Sequence, residues 1–125
     1  MARILVVDDD MAVAEVIVLV LSNAGHETTR AANLTEARAA LENTEFDGVL
    51  IDVWLGEDDG LTLAQELEAH PAQTPFAIMS GGGPRRTLET VTARADSLGA
   101  SDVLFKPFED DELLGAIEKM AGGNA

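Results

Sequence analysis

Ile4-Leu5-Val6-Val7 runs straight into Asp8-Asp9-Asp10, and the same grammar returns three more times along the chain. Val49-Leu50-Ile51 ends in Asp52, Phe76-Ala77-Ile78-Met79 ends in Ser80, and Val103-Leu104-Phe105 ends in Lys106-Pro107. Short apolar runs that stop at polar residues read as strands buried on both faces, the pattern of a parallel sheet covered by helices. In an open parallel sheet the carboxyl ends of the strands lie along one edge, and ligands bind in the crevice there. These stops therefore gather carboxylates, a hydroxyl and an ammonium at one edge. That set suits a divalent cation beside a phosphoryl group.

Outward from these runs, strand-like and helix-like segments alternate, which predicts an α/β domain with helices on both faces of the sheet. The predicted strands are Arg3–Val7, Glu27–Ala31, Gly48–Asp52, Phe76–Ser80 and Val103–Phe105. Helical stripes lie between them: Leu34, Ala37 and Leu41; Leu61, Ala64 and Leu67; Leu88, Val91, Ala95 and Leu98; then Leu113, Ile117 and Met120. Asp10 reads as a helix N-cap, Asn33 with Glu36 as a capping box, and Glu109-Asp110-Asp111 as negative charge on a helix N-terminus. Gly25 and Gly99 sit where left-handed C-caps are wanted. The first helix, Met11 to Ala24, carries a core stripe of Val13, Val16, Ile17, Val20 and Leu21. Val18 and Leu19 fall outside that stripe, and Leu19 with its neighbours reads as a partner-facing strip.

At 125 residues with 46% hydrophobic content, the chain fits one domain with a real core. The expected domain is 1–121, followed by a short tail, 122–125. A formal charge of -15, from 23 acidic and 8 basic residues, argues against binding nucleic-acid backbones or anionic membranes. There is no cysteine for disulfide, thiolate or zinc chemistry. The start lacks a signal-peptide pattern, and the longest apolar stretch, Val16 to Leu21, is far too short to span a bilayer. A cytoplasmic protein without membrane insertion is expected. Nothing follows the fifth helix, so no output domain is expected in this chain.

Asp8-Asp9, the segment Asp52 to Gly60, Ser80-Gly81 and Lys106-Pro107 occur in order at the ends of successive sheet segments. In these four motifs the chain resembles a response-regulator receiver domain of two-component signalling, and the resemblance covers nearly all of it. It implies a flavodoxin-like doubly wound fold, a five-stranded parallel sheet in the order 2-1-3-4-5. It also implies that Asp52 is the phosphoacceptor. Asp9 and Asp52 would bind Mg2+ directly, Asp8 would hold a metal-bound water, and the backbone carbonyl of Trp54 would supply another ligand. Lys106 would pair with a phosphoryl oxygen and Ser80 would hydrogen-bond another. The implied role is a non-enzymatic binding module or phosphorelay shuttle. Its phosphate would come from a histidine kinase or histidine phosphotransfer protein, and it would act on a downstream protein target as a monomer or weak dimer.

Four positions depart from the family pattern. Gly56 stands where proline is usual, and the region from Ser80 to Lys106 is a few residues longer, with Gly81-Gly82-Gly83-Pro84-Arg85-Arg86 inside it. That loop and the helix after it are expected to respond most to phosphorylation. Val103 occupies the position of a frequent aromatic switch residue, with Phe105 two residues on and on the same face. Trp54 stands where the family's side chain borders the path of the hydrolytic water, and its large ring would shield the phosphoryl group. Glu57-Asp58-Asp59-Gly60 reads as a solvated turn and helix cap, His26 and His70 as structural, and Arg85-Arg86 as solvated.

Two other readings compete. Asp8-Asp9-Asp10 contains the spaced aspartate pair of haloacid-dehalogenase-like phosphatases, although Met11-Ala12 lacks their usual continuation and Asp52 is then unexplained. A pseudo-receiver scaffold that has lost phosphorylation is the other, against which the acidic triad, Ser80 and Lys106 speak.

Overall fold

The computed structural model describes residues 1–81 and 88–122. Five strands, β1 (Arg3–Val7), β2 (Glu27–Ala31), β3 (Gly48–Asp52), β4 (Phe76–Ser80) and β5 (Asp102–Phe105), alternate with five helices. These are α1 (Met11–Asn23), α2 (Leu34–Asn43), α3 (Gly60–Ala69), α4 (Leu88–Ser97) and α5 (Asp110–Gly122). All neighbouring strands pair in parallel, in the order β2-β1-β3-β4-β5. The doubly wound topology expected of the chain is the one it has.

Side-chain alternation along the strands sorts the interior into two layers. Leu5, Val7, Val49, Ile51, Phe76 and Ile78 face α2, α3 and α4 through Leu34, Ala37, Leu61, Ala64, Leu67, Val91 and Ala95. Ile4, Val6, Leu50, Ala77, Met79 and Leu104 face α1 and α5 through Ile17, Leu21, Leu113, Ala116, Ile117 and Met120. β3 and β4 are buried along their whole length, which is why they read as unbroken apolar runs. β5 begins at Asp102, one residue before the expected start, because the backbone at Asp102 already pairs with Ala77.

The helix caps follow from local chemistry. Asp10 Oδ1 accepts from the N–H groups of Ala12 and Val13. Asn33 Oδ1 accepts from Glu36 N–H, while Glu36 Oε1 reaches back to Ala32 N–H, one residue beyond the usual capping-box partner. Gly25 and Gly99 take φ of +90° and +82° after α1 and α4. Three acidic residues, Asp110, Asp111 and Glu112, occupy the first turn of α5. That helix runs to Gly122, the first residue of the expected tail.

α1 corrects one expectation. Its core contacts are Ala14, Ile17 and Leu21, with Val13 and Val20 half-buried against the same layer. Val16, placed in the core stripe from its sequence spacing, is 60% exposed, as is Leu19, and Met11 is 64% exposed. The phase could not be read because nearly every position of this helix is apolar and only Glu15 is charged. At 100° per residue, a face centred on Ala14, Ile17 and Leu21 leaves Val16 on the flank.

Candidate functional site

The carboxyl ends of β1, β3, β4 and β5 supply the site. After β1, the Asp8 N–H donates to Ala31 O at 3.0 Å, and Asp8 Oδ1 accepts from Asp10 N–H at 2.9 Å. The chain thus turns at once into α1, with Asp8 buried and Asp9 exposed. At the end of β3, Asp52 is buried and its Oδ1 accepts from Trp54 N–H at 2.9 Å. Val53 N–H then donates to Met79 O at 3.0 Å, which keeps this segment beside the end of β4.

Two glycines shape the turn that follows. Trp54–Leu55 pairs antiparallel with Asp58–Asp59, a ladder not legible in the sequence. Its two-residue loop has Gly56 at φ +63°, with no left-handed φ at Glu57, the pattern of a type II′ hairpin turn. Proline, locked near −65°, cannot hold that place. Gly56, one of the expected departures, thus occupies a left-handed position that proline cannot take. Gly60 opens α3 against the backbone of Asp52, its N–H donating to Val53 O at 2.9 Å. A Cβ on Gly60 would meet the Asp52 carbonyl oxygen and carbon. Asp59 caps α3 through Leu61 N–H, as the reading of this segment as a turn and cap anticipates.

Ser80 lies buried at the end of β4, and its carbonyl accepts from Lys106 N–H at 2.8 Å. That bond fixes the Lys106 backbone across from the carboxylates, and the Lys106–Pro107 peptide is cis. Lys106 Nζ lies 2.6 Å from Asp52 Oδ2 and 3.0 Å from Asp8 Oδ2. Carboxylate oxygens of Asp8, Asp9 and Asp52 lie within 4.8 Å of one another, the one such cluster found among the described residues. Three carboxylates against one ammonium leave two formal negative charges at this edge, with Asp8 and Asp52 buried and Asp9 exposed. A hard divalent cation with oxygen ligands fits that deficit.

Burial pushes the Asp52 carboxyl up to about 6, helped by the charge of Asp8 and opposed by the hydrogen bonds from Lys106 and Trp54 N–H. For Lys106, burial acts to lower the pKa, but its hydrogen bonds to Asp52 and Asp8 and their charges outweigh it and raise the value. Asp52 is thus a carboxylate held out of water by its neighbours, with one oxygen on a backbone N–H and the other on an ammonium.

The expected residues Asp8, Asp9, Asp52 and Lys106 come together, and Ser80 is tied to Lys106 through its backbone carbonyl. Trp54 enters through its N–H, and its ring packs partly buried against the layer beneath α2, α3 and α4. Val103 packs against the same layer, and Phe105 is 38% exposed. Asp10 is spent on capping α1 and stands exposed. His26 Nδ1 accepts from Ala2 N–H and His70 Nδ1 from Ala72 N–H, both structural bonds. Gly82 to Arg86, including Arg85-Arg86, lie outside the described residues, as do residues 123–125. Sequence reading missed the tight approach of Gly60 to Asp52. Its signal was a glycine directly after an acidic turn and before a helical stripe.

Residues 4–118 match the family model of the response regulator receiver domain. The chain is 36% identical over 115 residues to the regulatory protein VirG of Agrobacterium tumefaciens, covering 92% of this chain and 42% of that protein. It is 35% identical over 116 residues to the transcriptional regulatory protein FixJ of Bradyrhizobium diazoefficiens, covering 93% and 55%. The chain thus spans about half the length of these curated relatives. The crystal structure of the receiver domain of NtrX from Brucella abortus superposes with a TM-score of 0.85 at 33% identity, covering 95% of this chain and 98% of that one.

Proposed function

Because this chain belongs to the response regulator receiver family, we propose that it accepts a phosphoryl group from a phosphohistidine onto Asp52 in a magnesium-dependent reaction. One observation carries this reading: Asp52, Asp8, Asp9 and Lys106 converge at one edge of the sheet with two unbalanced negative charges. A carboxylate oxygen of Asp52 attacks phosphorus, the P–N bond to the imidazole breaks, and its electron pair returns to the ring nitrogen. Asp9 and Asp52 would bind Mg2+ directly, Asp8 through water, and the Trp54 carbonyl would complete the protein ligands. The cation supplies charge neutralisation for the transferring group. Lys106 exchanges its contact with Asp52 for one with a phosphoryl oxygen, and Ser80 offers its hydroxyl to another.

The partner on the donor side is a histidine kinase or histidine phosphotransfer protein. The product is a cytoplasmic signal passed to a downstream protein or relayed further, by a monomer or weak dimer that is not itself an enzyme and does not bind nucleic acid. No helix among the described residues is long and apolar enough to cross a membrane. The phosphatase alternative loses support from Asp10, whose carboxylate is engaged in capping α1. The test is incubation with a small acyl-phosphate donor, with magnesium or with a chelator, followed by intact mass. A phosphoryl mass gain only with magnesium is expected, and equal gain under chelation contradicts the metal dependence.

A further inference from the structure

α1 turns an apolar strip to solvent. Val16 and Leu19 are exposed, as are Ala12 one turn before them and Asn23 one turn after. At 100° per residue these four share a face about 60° wide, opposite the buried Ala14, Ile17 and Leu21. Their spacing of four, three and four residues is that of a seam between two packed helices. Large apolar side chains grouped on one exposed face mark an interaction surface, whereas scattered ones need no explanation.

Charge and pattern together select the occupant. With a net charge of -15, two copies of the chain repel over most of their surfaces. α1 has one charged residue among its 13, Glu15, whereas α5, of equal length, has five. The outward face of α1 is therefore where a second copy meets little repulsion. The strip is also self-complementary. About a two-fold axis between Val16 and Leu19, an antiparallel copy sets Val16 against Leu19 and Ala12 against Asn23. Glu15 then faces Ser22 across the pair, a carboxylate opposite a hydroxyl donor. At 1.5 Å per residue, this pairing holds the two Asp9-Asp10 ends at least about 22 Å apart, beyond a screening length of about 8 Å. A parallel pair would set those acidic ends side by side. We propose that α1 is the surface through which two copies of this chain form a weak antiparallel dimer. Three turns of one helix bury less than the roughly 1,200 Å² at which stable interfaces begin, so the association is concentration-dependent. In naming the surface, the inference deepens the monomer-or-weak-dimer part of the proposed function. The phosphoryl reading of Asp52 stands or falls separately, by the mass test above.

Sedimentation equilibrium of the full chain at rising concentration tests the proposal. The expected result is a dimer with a dissociation constant of about 0.1–1 mM, weakened at least about tenfold by Leu19→Glu. Leu19 is exposed, so circular dichroism of that variant should match the wild type. Phe105→Glu adds the same charge on β5, at the far side of the sheet, and should leave the dimer within about twofold of wild type. A dimer lost in Phe105→Glu and kept in Leu19→Glu overturns the assignment to α1. The chain has no cysteine, so introduced ones report the pairing. Under oxidation, Ala12→Cys mixed with Asn23→Cys should form a mixed disulfide. Ala12→Cys alone should not, because its two copies lie about 16 Å apart along the pair and a disulfide spans at most about 7 Å between Cα atoms. Self-linking of Ala12→Cys without the mixed product overturns the antiparallel arrangement. A chain that stays monomeric at about 1 mM overturns the inference and leaves the strip to a different protein.

Discussion

On the proposed function Asp52 meets two opposing demands: it would have to be ionised to bind a cation and attack phosphorus, yet its position at the end of a buried strand disfavours the charge. Lys106 and the Trp54 N–H resolve part of the conflict, and the carboxyl remains pushed up to about 6. A protonated carboxyl is a poor metal ligand, so magnesium must displace a proton wherever the pH lies below that value. Affinity for magnesium should therefore hold steady above neutrality and fall about tenfold between about pH 7 and about pH 5. Isothermal titration across that range checks it, and a flat profile would remove burial of Asp52 as the controlling term. Trp54 shows the limit of residue-level reading. The sequence placed it two residues from Asp52, but only the fold shows that its N–H holds that carboxylate and that its indole nitrogen is buried with no acceptor among the described residues.

At the level of elements, the site depends on how closely α3 approaches the end of β3. Gly60 has no Cβ, and one added there would overlap the Asp52 backbone. Gly60→Ala must push α3 outward or shift Asp52, and a loss of about 1–3 kcal/mol is expected. Urea unfolding measures that loss, and magnesium titration of the same variant should show weaker binding; unchanged stability would mean the contact is not held in solution. α1 supplies a second test, since its phase was misread. Ile17→Ala should cost about 2–5 kcal/mol. Val16→Ala, on the exposed flank, should stay within about 0.5 kcal/mol. Similar losses for both would restore Val16 to the core. Strands were legible where burial on both faces leaves one pattern, as in β3 and β4. α1 was not, because apolar residues at nearly every angle carry no phase. The Trp54–Leu55 ladder was not, because it depends on the left-handed φ of Gly56 rather than on any hydrophobic pattern.

For the whole molecule, the parallel order of the strands explains why distant residues meet. Asp8, Asp52, Ser80 and Lys106 each follow or close a strand, and all these strands point the same way, so one edge collects them. That convergence was legible because the polar stops end buried runs. The bridging of Lys106 to both Asp8 and Asp52 was not, because it depends on side-chain reach across three strands. The central claim is that Asp52 alone takes the phosphoryl group. Wild type, Asp52→Asn and Asp10→Asn proteins, each treated with a small acyl-phosphate donor and magnesium, test it by intact mass and peptide mapping. The account predicts one phosphoryl group on Asp52 in wild type and in Asp10→Asn, and none in a folded Asp52→Asn. Comparable labelling of Asp52→Asn, or its loss in Asp10→Asn, would contradict it.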